Sequence, residues 1–227
     1  MRARLKALTA CLLITPLPAA WASGGGTMSM PSSMPRMQTP QQKARDAYND
    51  GVHEVKQADK AQASAAEATD AGKKDKAARE AHDAYAGALA KFKQATDLDP
   101  TLYEAWNYVG YTNRKLGNYD DALPAYDKAL SLKPGYADAL EYRGEAYLGL
   151  SRIPDAQQAY LDLYAGNRGL AGKLLTAMKS WVAVQRANPS VGGKTDLDQF
   201  DKWIQERAQI AGQTAALTRE GSAASWR

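Results

Sequence analysis

From Gln41 onward, apolar and small residues recur every three or four positions, the spacing that lines one face of an α-helix. Ala44, Tyr48, Gly51, Val55 and Ala58 form a first stripe, continued by Ala61, Ala65 and Ala68. Gly72-Lys73-Lys74 reads as a turn, and Ala78, Ala81, Tyr85, Ala88, Phe92 and Ala95 form a second stripe. The two predict a long antiparallel hairpin over 41–100, with alanines on its inner face so that the helices approach closely. A shorter pair follows over 103–136. Ala105, Trp106, Val109, Gly110 and Asn113 mark its first helix, and Gly117-Asn118 closes it. Ala122, Leu123, Tyr126, Ala129 and Leu130 mark its second, which stops at Lys133-Pro134-Gly135. Pro124 lies inside that helix and predicts a bend or a loosened turn, because it lacks an N–H and crowds the turn before it. Residues 137–168 predict another pair through Leu140, Gly144, Tyr147, Ala156 and Tyr160, with Pro154 at a tolerated helix start. Two more helices are expected within 171–212. One carries Leu174, Met178, Trp181, Val182 and Gln185; the other carries Leu197, Phe200, Trp203, Ile204 and Ile210. Asn188-Pro189 and Gly192-Gly193 separate them, and residues 213–227 are expected to be a flexible tail.

The pairs echo one another at a fixed step of 34 residues. Gly110 recurs as Gly144, Ala88 as Ala122 and Ala156, and Phe92 as Tyr126 and Tyr160. Ala95 recurs as Ala129, Leu98 as Leu132 and Pro100 as Pro134. Such a period means a stack of like units, since one helix pair cannot bury its apolar face alone. Trp106, Gly110, Leu116-Gly117, Tyr119, Ala122, Tyr126, Ala129 and Pro134 resemble the tetratricopeptide repeat (TPR) pattern. The resemblance implies an all-α solenoid, a right-handed superhelix of helical hairpins. The unit at 137–168 departs from the pattern at its end, where Arg168 replaces the proline, and 171–212 reads as the atypical cap that closes a solenoid. If Gly51 is the counterpart of Gly110, the first hairpin is enlarged by about three turns in each helix.

The N-terminus is of another kind. Arg2, Arg4 and Lys6 precede a mostly apolar run from Ala7 to Ala20, and Ala20-Trp21-Ala22 is a small-x-small cleavage site. Residues 1–22 are therefore expected to be a signal peptide, and the periplasm the destination. Leu8-Thr9-Ala10-Cys11 matches a lipobox locally, but only Ala7 and Leu8 separate it from Lys6. That leaves no apolar segment to insert first, so lipid anchoring and secretion are the lesser readings. Residues 23–40 read as a disordered linker, with Gly24-Gly25-Gly26 and prolines at 31, 35 and 40. Met28, Met30, Met34 and Met37 crowd this linker, but thioethers with no His or Cys nearby read as a flexible tail before a copper site.

The leader changes the charge count. The whole chain holds 29 basic and 25 acidic side chains. Without residues 1–22 the numbers are 26 and 25, which supports no nucleic-acid footprint. Cys11, the sole cysteine, leaves with the leader, so neither disulfides nor Cys-ligated metal are expected. No later run reaches the length of a membrane span.

Catalysis needs a constellation, and the sequence offers none. His53 and His82, the only histidines, lie on different arms of the first hairpin. His53-Glu54 begins like a zinc-binding HExxH, but Gln57 stands in place of the second His. Gly193-Lys194-Thr195 resembles the end of a phosphate loop, yet Asn188 replaces the leading Gly, so Thr195 or Asp196 reads as a helix N-cap. Asp196, Asp198 and Asp201 fail the calcium-loop pattern at Phe200 and at Asp201 itself. No enzyme activity, cofactor or metal is expected.

In TPR proteins the first helix of each unit lines the concave face. The resemblance therefore nominates Glu104, Asn107, Tyr108, Tyr111, Arg114 and Lys115 from one unit, and Asp138, Glu141, Tyr142 and Glu145 from the next. The tyrosines would offer flat amphipathic contacts. Some TPR domains grip a C-terminal carboxylate with Lys, Asn and Arg. Asn107 and Arg114 echo that, but the next unit presents Glu where a clamp needs cations. The expected function is an exported non-catalytic adaptor that holds a basic or amphipathic protein or peptide segment. The alternative is a structural protein that oligomerises through the long hairpin.

Overall fold

The computed structural model describes residues 38–187 and 194–223. The expected leader at 1–22, the linker as far as 37, the breaks around Asn188-Pro189 and Gly192-Gly193, and 224–227 lie outside them. The described residues form eight helices and no strand: α1 (Pro40–Glu67), α2 (Ala71–Leu98), α3 (Tyr103–Lys115), α4 (Tyr119–Leu132), α5 (Ala137–Gly149), α6 (Ile153–Gly166), α7 (Arg168–Ala187) and α8 (Lys194–Ala223). The helices pack as hairpins, α1 on α2, α3 on α4 and α5 on α6. Each hairpin leans on the next through α2 with α3, α4 with α5 and α6 with α7, and first helices also meet, α3 with α5 and α5 with α7. Contacts between neighbours alone make an all-α TPR-like solenoid. None of these helices is long and apolar enough to cross a membrane.

Small residues set the helix crossings. A Cβ on Gly51 would lie 2.8 Å from the Phe92 ring, and one on Gly110 would lie 2.6 Å from the Tyr126 ring. Phe92 and Tyr126 are 34 residues apart, so Gly51 and Gly110 are equivalent notches for equivalent rings. Ala88, Ala122 and Ala156 are fully buried beside them. Tyr85, Phe92, Tyr126 and Tyr160 fill the space between helices. The first hairpin is enlarged more than its sequence suggested. Helices α1 and α2 have 28 residues each against 13 and 14 in α3 and α4, a difference of about four turns.

Caps decide several boundaries that glycine and proline did not. Helix α1 starts inside the stretch read as linker, because Thr39 and Gln42 form a capping box. Thr39 Oγ1 accepts from the Gln42 N–H at 3.2 Å, and Gln42 Oε1 accepts from the Thr39 N–H at 2.8 Å. Pro40 then takes a first-turn position, where its missing N–H is not needed. The turn of the hairpin lies at 68–70, ahead of Gly72-Lys73-Lys74. Asp70 accepts the Lys73 N–H at 2.9 Å, and this cap draws those three residues into the first turn of α2. Helix α4 runs through the exposed Pro124 as one element. Helix α8 starts at Lys194, so Thr195 and Asp196, expected at its N-cap, lie in its first turn. It also continues to Ala223, through residues read as a flexible tail. Gln213, Ala215, Ala216 and Leu217 are good helix formers, which accounts for the extension.

Candidate protein-binding groove

The first helix of each pair carries its side chains in matched register. Aligning Gly51 with Gly110 makes Tyr48 the counterpart of Asn107, and one repeat further on Asn107 becomes Glu141. By the same step Glu104 answers to Asp138, Tyr108 to Tyr142 and Tyr111 to Glu145. Residues three or four apart on a helix share a face, so these positions build a ladder across α1, α3 and α5.

Aromatic rings run across that ladder. Phe92 of α2 stacks on Tyr108 with centroids 4.8 Å apart, and Tyr48 of α1 meets Tyr108 edge-on at 5.7 Å. Tyr108 is 5.9 Å from Tyr111, which is 5.0 Å from Tyr142 on α5. Burial raises the phenol pKa of each, to about 12 for Tyr48 and Tyr142. All four stay neutral at physiological pH, with apolar faces and a polar edge.

The cations nominated from the sequence are engaged by the chain itself. The Arg114 guanidinium lies 5.2 Å from the Tyr111 centroid and 5.3 Å from that of Tyr142, and its Nη1 is 2.5 Å from the Glu145 carboxylate. Burial is the largest influence and opposes its charge, but Glu145, Tyr126 and Tyr111 together outweigh it and the pKa stands above the usual arginine value. Lys115 donates to Gln62 and lies 3.8 Å from Asp59. Asp59 in turn accepts from Tyr85 at 2.5 Å and from Tyr111 at 2.8 Å. Burial lowers the Lys115 pKa, with Asp59 opposing the shift. Arg114 thus joins α3 to α5, and Lys115 joins α3 to the first hairpin.

Two nominated residues are buried without such partners. Asn107 is 1 % exposed and its Oδ1 meets no donor. Glu141 is 5 % exposed and has no hydrogen-bond or ion-pair partner among the described residues. Its pKa is raised by burial and by the charge of Glu145, while Lys173 of α7 pulls the other way. Glu104 and Asp138 are half-buried on the same faces. Among the described residues no group of three or more acidic, histidine or cysteine side chains could hold a metal ion.

The tetratricopeptide repeat family model matches residues 103–136, the unit formed by α3 and α4. Residues 103–136 thus form a tetratricopeptide repeat. The chain is similar to a Hsp70-Hsp90 organizing protein of Triticum aestivum, 35% identical over 113 residues that cover 46% of this chain and 19% of that protein. The aligned part is thus about a fifth of that relative's length. TPR helices of this kind build protein–protein interaction modules.

Several groove residues escaped the sequence reading: Tyr48, Asp59 and Gln62 of α1, and Tyr85 and Phe92 of α2. Their signal was present in the Gly51 notch. Carrying that register onto the groove positions would have nominated Tyr48 as the counterpart of Asn107. Asp59 and Gln62 had no such signal, because the enlarged arm has no equivalent in the shorter units.

Proposed function

We propose that this protein is an exported, non-catalytic TPR adaptor that holds a basic or amphipathic segment of another protein along α1, α3 and α5. The tyrosine ladder with its acidic neighbours carries this reading. Tyr48, Tyr108, Tyr111 and Tyr142 form one aromatic band, and Glu104, Asp138 and Glu141 border it without ion pairs among the described residues. Flat aromatic anchors beside charge suit recognition of a cationic or amphipathic segment. Export rests on Arg2, Arg4, Lys6 and the Ala20-Trp21-Ala22 site, and the periplasm is the compartment that fits.

Assembly through the first hairpin is the weaker reading. The outward face of its arm presents Lys73, Lys74, Asp75, Lys76, Arg79, Glu80 and Asp83, all exposed and charged. Such a face favours water over a second apolar face.

The test compares two baits in extracts of the source cell, the wild-type chain and a Tyr108→Ala/Glu141→Lys variant. Wild type is expected to retain a partner that the variant releases, with the same helicity by circular dichroism. Equal retention by both would remove the groove from its role. N-terminal sequencing of the exported protein is expected to begin at Ser23.

A further inference from the structure

One rung of the ladder differs from the rung after it in having acceptors but no cation paired with them. The rung formed by Tyr111 and Glu145 is closed by Arg114, whose guanidinium lies against Tyr111 and Tyr142 and pairs with Glu145. One turn earlier on the same helices lie Asn107 and Glu141, with Tyr48 as the counterpart on α1. These offer a tyrosine ring and a carboxylate, as the Arg114 rung does, and an amide oxygen besides. Here the Asn107 Oδ1 meets no donor and Glu141 has no ion-pair partner among the described residues. The cations that act on Glu141 are Lys173, which is exposed and forms no ion pair among those residues, and Arg114, which is engaged by Glu145. A buried acceptor with no donor carries a desolvation cost, and the enclosed Asn107 Oδ1 is one. A donor-rich group entering from a partner would remove that penalty on binding.

We propose that Tyr48, Asn107 and Glu141 form a subsite for an arginine side chain of the bound segment. Its guanidinium would donate to the Glu141 carboxylate and the Asn107 amide oxygen, with the rings of Tyr48, Tyr108 and Tyr142 as walls. A guanidinium fits better than an ammonium. It is planar, carries five donors in a fixed fork, is less strongly hydrated and stacks on aromatic faces. The protein's own Arg114 supplies the template for this arrangement one turn away. The inference rests on the groove reading above and deepens it, since it names the side chain that the groove reads.

The experiment pans a displayed library of random dodecapeptides against the full chain and its Glu141→Gln, Asn107→Leu and Tyr108→Ala variants, each checked for helicity. Peptides selected on wild type are expected to be enriched in arginine. A synthetic copy should lose about tenfold or more in affinity when that arginine becomes citrulline, and again about tenfold on Glu141→Gln, with Asn107→Leu weakening it as well. Selected peptides without arginine, lysine serving as well as arginine, or indifference to citrulline and to Glu141→Gln would each overturn the subsite. In those cases a peptide still released by Tyr108→Ala would leave the groove itself standing. A library with no enrichment, or binding unchanged by Tyr108→Ala, would overturn the subsite and the groove together.

Discussion

Residues 103–136 and 137–168 share one period but spend their side chains differently. At helix crossings the chemistry is kept: Gly110 and Gly144, Ala122 and Ala156, Tyr126 and Tyr160 are all buried. On the groove face it changes, from Asn107 to Glu141 and from Tyr111 to Glu145. Even a kept residue can change neighbours. The notch at Gly110 receives Tyr126 of its own hairpin, whereas the notch at Gly144 receives Leu174 of α7, whose atoms would lie 2.6 Å from an added Cβ. The spacing of helix axes is therefore what the period protects, because close packing tolerates no added methylene there. The groove positions are not held to one side-chain size by such a crossing, so their chemistry changes from unit to unit.

The sharpest way to break this comparison is to place a charge at the two equivalent alanines. Ala122→Asp and Ala156→Asp each bury an unpaired carboxylate at a fully enclosed site. Each is expected to cost about 3 kcal/mol or more, measured by urea unfolding. A neutral outcome at one site alone would show that the two units do not share a core. A smaller effect separates the second helices. Pro124 lies inside α4 and leaves the Asp120 carbonyl without its helical donor, whereas Pro154 occupies the first turn of α6. Pro124→Ala is expected to stabilise by about 2 kcal/mol, and Pro154→Ala to change little. The smallest effect concerns the turn between helices. Gly117 has φ +82°, while its counterpart Ser151 is held at φ +58°, where a side chain is strained. Ser151→Gly should gain up to about 1 kcal/mol and raise the melting temperature, whereas Gly117→Ser should lower it.

The helices at crossings were legible because their residues are small or aromatic and recur at 34. Trp106, Gly110, Ala122 and Tyr126 could be placed before any coordinates. Boundaries were less legible where a polar cap competed with a breaker. Asp70 overruled Gly72, and Thr39 with Gln42 overruled Pro40, because a satisfied N–H weighs more than a generic turn preference. Groove residues were nominated by position, but their states were not. Arg114 and Lys115 looked free in sequence and are engaged by Glu145 and Asp59, which lie 31 and 56 positions away in the chain. Asn107 and Glu141 were nominated as open groove positions and are enclosed. Partners supplied by another helix are what a single amphipathic stripe cannot reveal.

The unequal length of the first hairpin has a mechanical consequence. Lys115 and Leu116, at the end of α3, reach α1 and α2 near Gln62, Ala81 and Tyr85. Between 63 and 80 only Ala65 is buried. Little apolar surface resists opening there, so the tip should unzip while the remainder of the stack stays closed. Amide exchange is expected to begin at this tip, and a protease should nick it before any other described helix, leaving the tyrosine band in place.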